Sequence, residues 1–412
     1  MKNILFIEPM APWPLISGGH QAIFNGINAV KDEFNIFITY ELSLKDDEED
    51  TITPALQKAL PKATILPFLH RIPKQKPLKS LMRRCYNKAK SITRPNCTKV
   101  TNEYNEMMWH FAPNDRKYFD FINEIVTQHN IDIVQVEMVW RMTLGLALPK
   151  HVKKVFVHHE LRYVCHELEL SQKPCSPYSQ ACFEIAKTLE IGLINHYDAV
   201  ITLSEIDKQK LIEAGVTKPI YSSIAIVNTE PTKELHSNEY HTLIYVGPEF
   251  HKPNYQGVMW FLENCWEKLL EADSEYHFKI IGKWSEATQA AIKEKYKNVE
   301  FAGFVDSIRD EIIDTISIVP LTVGSGIRMK ILEASNIGVP FVTTSVGVEG
   351  LPFINGTDCF IADTPDEFVN SILKLKDKDM RMKLIKNAQQ KVIDSFSINT
   401  LHNRLISIYR NI

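Results

Sequence analysis

Short, largely apolar runs recur along this chain with room for a helix between them, and that alternation constrains the fold more than any other feature. Ile4–Ile7, Phe34–Thr39, Ala63–Leu66, Ile131–Val136, Val155–Val157 and Ala199–Leu203 read as strands buried on both faces. Helical patterns lie between several of them, over Gln21–Val30, Lys117–His129 and Glu184–Tyr197. A polar stretch, Asn228–Tyr240, has little to bury and reads as an interdomain linker. The alternation resumes at Thr242–Val246, Phe278–Ile281, Val299–Phe301, Ser317–Val319, Phe341–Thr343 and Cys359–Ile361. Three helical stretches close the chain: Pro365–Leu375, Asp379–Ile393 and Asn399–Ile408. The expectation is an α/β protein of two doubly wound domains facing across a cleft at the carboxyl edges of their sheets. The domains are placed at 1–230 and 240–395, with a last helix of about 397–412 packing back on the first.

Length supports two domains, since 412 residues exceed one ordinary core. A net charge of −3 argues against nucleic acid as a partner. Seven scattered cysteines without a CxxC pair fit reduced thiols better than a disulfide framework. Cys165, His166, Cys175 and Cys182 are too irregularly spaced for a zinc site, so no metal is expected. Met1–Glu8 is too short for a signal peptide, and no run reaches the length of a membrane span. A cytoplasmic protein is expected, with peripheral attachment to the inner face of the membrane as an option. That option rests on segment 51–102, which holds twelve Lys or Arg and no Asp or Glu. Within it, Leu78, Leu81, Met82, Cys85, Ala89 and Ile92 recur at helical spacing among Arg83, Arg84, Lys88 and Lys90. Two readings stand: a helix packed on the first sheet with a solvated basic face, or a surface helix drawn to anionic lipid.

The chemistry is concentrated at Val323-Gly-Ser-Gly-Ile-Arg-Met-Lys-Ile-Leu-Glu-Ala334. Small residues there precede a helix, so a ligand can approach the backbone, and the helix's free amides favour an anion. Arg328 and Lys330 oppose the helix dipole in what reads as the first turn. A bound phosphate accounts for the small residues, the helix start and the cations together.

The second half of the chain resembles the group 1 family of retaining glycosyltransferases of the GT-B fold, which has two Rossmann-like domains. The resemblance is carried by Tyr245-Val-Gly-Pro248, Pro253–Gly257, Ile281-Gly-Lys283, Val299–Val305, Gly324–Ala334 and Glu349-Gly-Leu351. The first half matches more loosely, through Ser17-Gly-Gly19, His159-Glu160 and Ala199–Ser204. The resemblance implies transfer of a sugar from a nucleotide-diphosphate donor, UDP- or GDP-linked, with retention of configuration and no cofactor or divalent metal. Acceptors of such enzymes are saccharides, lipid-linked sugars or proteins, as in the assembly of cell-surface polysaccharide, glycolipid or glycoprotein.

Residue by residue, Glu333 matches the second glutamate of the family's Glu-x7-Glu pair, which binds the ribose hydroxyls. Ser325 stands where the first glutamate would contact the donor sugar. The family's Arg and Lys after the first strand of the second domain are replaced by Pro248 and Pro253-Asn254, so the resemblance gives the pyrophosphate charge to Arg328 or Lys330, with Lys283 and Lys252 as weaker candidates. Gly18, Gly19, Gly247, Gly324, Gly326 and Ile327 are expected to bring backbone near the donor, and the backbone of Phe304 and Val305 to read the base. His159 is expected to hydrogen-bond a sugar hydroxyl, although His158 points the other way and competes for the role, with Glu160 as partner to either. No paired carboxylate stands out, so the leaving phosphate is expected to take the acceptor's proton. A nucleotide-sugar epimerase on this fold, or a binding scaffold that has lost catalysis, are the alternatives. A dinucleotide dehydrogenase is disfavoured, because Ser17–Ala22 lacks the GxGxxG fingerprint and no acid ends the second strand, where Thr39-Tyr40 precede Glu41.

Overall fold

The computed structural model describes residues 1–15, 18–45, 48–72, 104–171, 174–227, 240–305 and 307–412. The basic amphipathic stretch Leu78–Ile92, Ser17 and nearly all of the linker lie outside these residues. The chain divides into two compact units, Met1–Ser223 with His402–Ile412, and Ile224–Leu401.

The first unit is built on eight parallel strands: β1 (Asn3–Glu8), β2 (Asn35–Lys45), β3 (Thr64–Ile65), β4 (Phe68–Ile72), β5 (Ile133–Glu137), β6 (Lys153–His158), β7 (Ala199–Thr202) and β8 (Ile220–Ser222). Their order is β3-β2-β1-β5-β6-β7-β8, with β4 continuing the pairing along β2. The order reverses between β1 and β5, and doubly wound sheets bind ligands beyond the strand ends at such a reversal. β1 and β5 are almost wholly buried, as strands covered by helices on both faces must be. The last helix, Ile398–Arg410, belongs mostly to this unit: His402 Nδ1 lies 2.6 Å from the Ala29 carbonyl, and Tyr409 meets Phe34 edge-on at 5.5 Å.

The second unit has six parallel strands: β9 (Thr242–Val246), β10 (His277–Ile281), β11 (Val299–Gly303), β12 (Ile316–Val319), β13 (Phe341–Thr343) and β14 (Phe360–Ile361). Their order, β11-β10-β9-β12-β13-β14, reverses between β9 and β12. The helix Lys252–Phe261 follows β9 and presses on the residues that leave β12. That approach requires Gly257, since a Cβ there would lie 2.9 Å from the Pro320 carbonyl oxygen. Gly257→Ala is therefore expected to cost about 1–3 kcal/mol in a denaturant melt. An unchanged midpoint would show that the helix has room to move.

Both units are thus doubly wound α/β, and the short strands β4 and β8 are additions to the pattern read from sequence. β8 carries only three half-buried residues, too few to show a period.

Candidate functional site

The loop Pro320–Arg328 leaves β12 beside the carboxyl end of β9, at the reversal of the second sheet. The helix that follows runs from Met329 to Ile337 and stops at Gly338, whose backbone is left-handed. Arg328 is thus the N-cap rather than a first-turn residue, which corrects the sequence reading. Its buried guanidinium folds back over its own loop, donating to the carbonyls of Ser325 and Gly326, and lies 3.5 Å from that of Val346. Its Nε is buried without a hydrogen-bond partner. Gly324 lies beneath this group, where a Cβ would come 2.8 Å from Nη2.

Lys330, in the first turn, reaches back to β9. Its Nζ donates to the Tyr245 hydroxyl at 2.9 Å and to Asn254 Oδ1 at 3.1 Å, and sits 4.0 Å from the centre of the Tyr245 ring. Tyr245 in turn donates to Asn254 Oδ1 at 2.7 Å, and Asn254 Nδ2 donates to the Pro248 carbonyl at 3.0 Å. Burial, then the neighbouring Arg328, lowers the Lys330 ammonium to about 7, with Glu333 acting in the opposite direction. Gly247 closes over this group: a Cβ there would be 2.6 Å from Asn254 Nδ2 and 3.0 Å from Lys330 Nζ. Glu333 is buried on the same helix. Two cations and one carboxylate are therefore gathered at a strand-end reversal, an arrangement suited to a polyanion.

Of the other expected donor residues, Ser325 and Gly326 meet Arg328 through their carbonyls, while Lys283, Phe304 and Val305 make no side-chain bond to this network. Lys283 is exposed and contributes its backbone carbonyl to Glu249 N at 3.1 Å. Phe304 is exposed, whereas Val305 packs against the cluster of Ile244, Ile281 and Ile337. Ser325 and Gly326 are buried in the loop, with Ile327 half-buried.

In the first unit, Gly18 and Gly19 open the helix Gly18–Val30 rather than forming a loop after β1. The two histidines after Val157 separate cleanly. His158 is buried and bonded to Glu190 at 2.8 Å, and Glu190 also accepts from the amides of Arg162 and Tyr163 at the start of helix Arg162–Ser171. His158 therefore serves the packing. His159 Nε2 is instead bonded to Glu137, at the end of β5. Glu160 pairs with Arg162 at 2.9 Å.

Sequence reasoning missed Glu137 and its neighbour Glu8. It found no paired carboxylates, but parallel pairing of β1 and β5 sets the two level at the strand ends. The available signal was Gln135 and Glu137, polar at period two within an otherwise apolar strand. It likewise missed Tyr245, which reads as one more core aromatic.

Among the described residues, His241, Asp273 and Glu275 come close enough to hold a cation. They precede β9 and β10, at the opposite edge of the sheet from Gly247, and Lys376 already pairs with Asp273. The five described cysteines carry free thiols. No helix among the described residues is long and apolar enough to cross a membrane.

Two α/β units of this topology define a GT-B fold, and solved structures agree. The chain superposes on TarM with a TM-score of 0.71 at 11% identity, covering 99% of each chain. Sucrose-phosphate synthase from Thermosynechococcus elongatus gives 0.73 at 13% identity, over 100% of this chain and 99% of that one. HepE from Anabaena, solved with UDP and glucose, gives 0.66 at 14% identity over 99% of each. Residues 240–378 match the family model for glycosyl transferases, group 1, so the second unit carries a domain of that type. No curated protein sequence matches the chain significantly.

Proposed function

We propose that this protein is a retaining glycosyltransferase that moves a sugar from a nucleotide-diphosphate donor to an acceptor. The observation that carries the reading is the place of Lys330: its ammonium lies at Asn254, close to where the family's own lysine would stand. A cation lost from one helix is thereby supplied from another, beside Gly247 at the sheet reversal. The group 1 match over 240–378 supports the same reading, and so does HepE, whose structure holds UDP and glucose.

In this mechanism Glu333 holds the ribose hydroxyls, while Lys330 and Arg328 stabilise the charge that develops on the diphosphate. The bond from the anomeric carbon to the phosphate oxygen breaks as the bond to the acceptor oxygen forms on the same face. The acceptor's proton passes to the departing phosphate oxygen. His159 hydrogen-bonds a hydroxyl of the transferred sugar, and the backbone of Phe304 and Val305 meets the base. Because side-chain cations take the phosphate charge, no divalent metal is required, and EDTA is expected to leave turnover unchanged. A saccharide, lipid-linked or protein acceptor fits this scheme, as does a peripheral cytoplasmic place with segment 51–102 against anionic lipid.

A thermal-shift screen of UDP-, GDP-, ADP- and TDP-sugars tests the donor. One nucleotide class is expected to stabilise the fold by ~2.7 kcal/mol at about 100 times its Kd. If none shifts the melting temperature, the donor site is wrongly assigned.

A further inference from the structure

At the reversal of the first sheet, β1 and β5 bring two carboxylates to one edge. Ile7 pairs with Val136, so Glu8 and Glu137, one residue further on, stand side by side. Glu8 is wholly buried, and neither of its carboxylate oxygens has a hydrogen-bond partner. An ionised carboxylate so placed would cost several kcal/mol, and the usual outcome is that it keeps its proton. Burial, reinforced by Glu137, holds Glu8 well above the ordinary carboxylate range. Among the described residues, no cation is set against Glu8. Tyr118 and Tyr409 are themselves pushed up by burial and, in smaller part, by Glu8. Arg141, which lies over the Tyr118 ring, is already paired with Glu41 at 2.7 Å.

Glu137 is placed quite differently. Its Oε1 accepts from Gln135 Nε2 at 2.5 Å, and its Oε2 is bonded to His159 Nε2. The Tyr409 hydroxyl, from the last helix, donates to Gln135 Oε1. The polarity of this chain runs one way. Tyr409 gives its only proton to the amide oxygen, so the amide nitrogen must face Glu137. With the proton of the carboxylate pair on Glu8, both Glu137 oxygens accept, and the imidazole carries a proton on Nε2.

We propose that Glu8 and Glu137 form an acid pair holding a single proton, on Glu8, and that Glu137 with Gln135 fixes His159 as the Nε2–H tautomer. Nδ1 is then the acceptor that takes a hydrogen bond from a hydroxyl of the transferred sugar. Glu8, Gln135 and Glu137 are thus positioning residues acting through His159. The sugar contact rests on the transferase reading; the tautomer and the acid pair do not.

Two spectroscopic measurements test the arrangement without any substrate. Nitrogen-15 NMR of the histidine side chains, with His159 assigned through His159→Asn, is expected to show an Nε2–H imidazole in the wild-type protein. Infrared difference spectra between wild type and Glu8→Gln at neutral pH are expected to lose one protonated-carboxyl band. In Glu137→Gln the remaining oxygen is taken by Gln135, so an amide N–H faces His159 and should move the ring proton to Nδ1. That variant is expected to transfer sugar with a kcat about tenfold to hundredfold lower. An Nδ1–H ring in the wild type, or no lost carboxyl band, overturns the proposal. So does a Glu137→Gln variant whose tautomer has moved while its kcat has not. If the wild type transfers no sugar, the transferase reading and the sugar contact fall together, and the two spectra still decide the acid pair.

Discussion

Glu333→Ala is expected to lower kcat/KM for sugar transfer about 10²- to 10⁴-fold, the sum of two hydrogen bonds to an ionised carboxylate at about 1.5–3 kcal/mol each. Glu333 is buried within the helix Met329–Ile337, and alanine is the best helix former, so the fold should survive the change. Part of the loss is indirect, because Glu333 favours the charged form of Lys330. A double-mutant cycle separates the two contributions. With the wild type, a donor lacking the ribose 2′-hydroxyl should bind more weakly. With Glu333→Ala that penalty should vanish. A persisting penalty would mean that Glu333 does not touch the ribose, and the donor site would have to be redrawn.

How much of this was legible in the sequence depends on the range of the interaction involved. The sheets were legible because a strand buried on both faces leaves a local apolar run, as β1 and β9 do. The glycine loop and Glu333 were legible because their chemistry is held within a dozen consecutive residues. What the sequence hid is long-range. Lys330 and Asn254 are 76 residues apart, and Tyr409 and Gln135 are 274 apart, so only the packing of helices on the ordered sheets brings them together. The same applies to Glu8 and Glu137, each an unremarkable strand-end residue until β1 and β5 pair. Arg328 shows the reverse case. Its charge was legible, but not that the side chain would fold back on the carbonyls of Ser325 and Gly326. A short polar loop leaves those acceptors exposed to the nearest donor, and the nearest donor is the next cation in sequence.

Lys330→Met is expected to be less active and yet more stable, a combination that sets a ligand-binding cation apart from a structural one. The ammonium titrates at about 7, against 10.5 for a free lysine, chiefly because it is buried. Below pH 7 it is charged and attracts a diphosphate; above pH 7 it is increasingly neutral. Nucleoside-diphosphate affinity should therefore fall as pH rises through 7, by up to about tenfold per pH unit, until the ammonium of the complex itself deprotonates. Methionine should flatten that profile and lower kcat about 10²- to 10³-fold, the usual cost of removing one stabilising donor. The stability effect has the opposite sign. Between pH 7 and 10.5 the unfolded chain binds more protons at this site than the folded one, so wild-type stability rises with pH across that window. Below pH 7 the cost of burying the charge is present in full. Lys330 as a whole keeps some contact with solvent, so replacing it at pH 7 should recover only about 1 kcal/mol, toward the low end for removing a buried charge. Tyr245 and Asn254 retain their own hydrogen bond at 2.7 Å, which limits any loss from the missing amine. Titration calorimetry across pH with UDP or GDP, paired with melts of both proteins, tests both signs. A variant that melts lower and keeps the pH dependence would assign Lys330 to the packing of β9 instead.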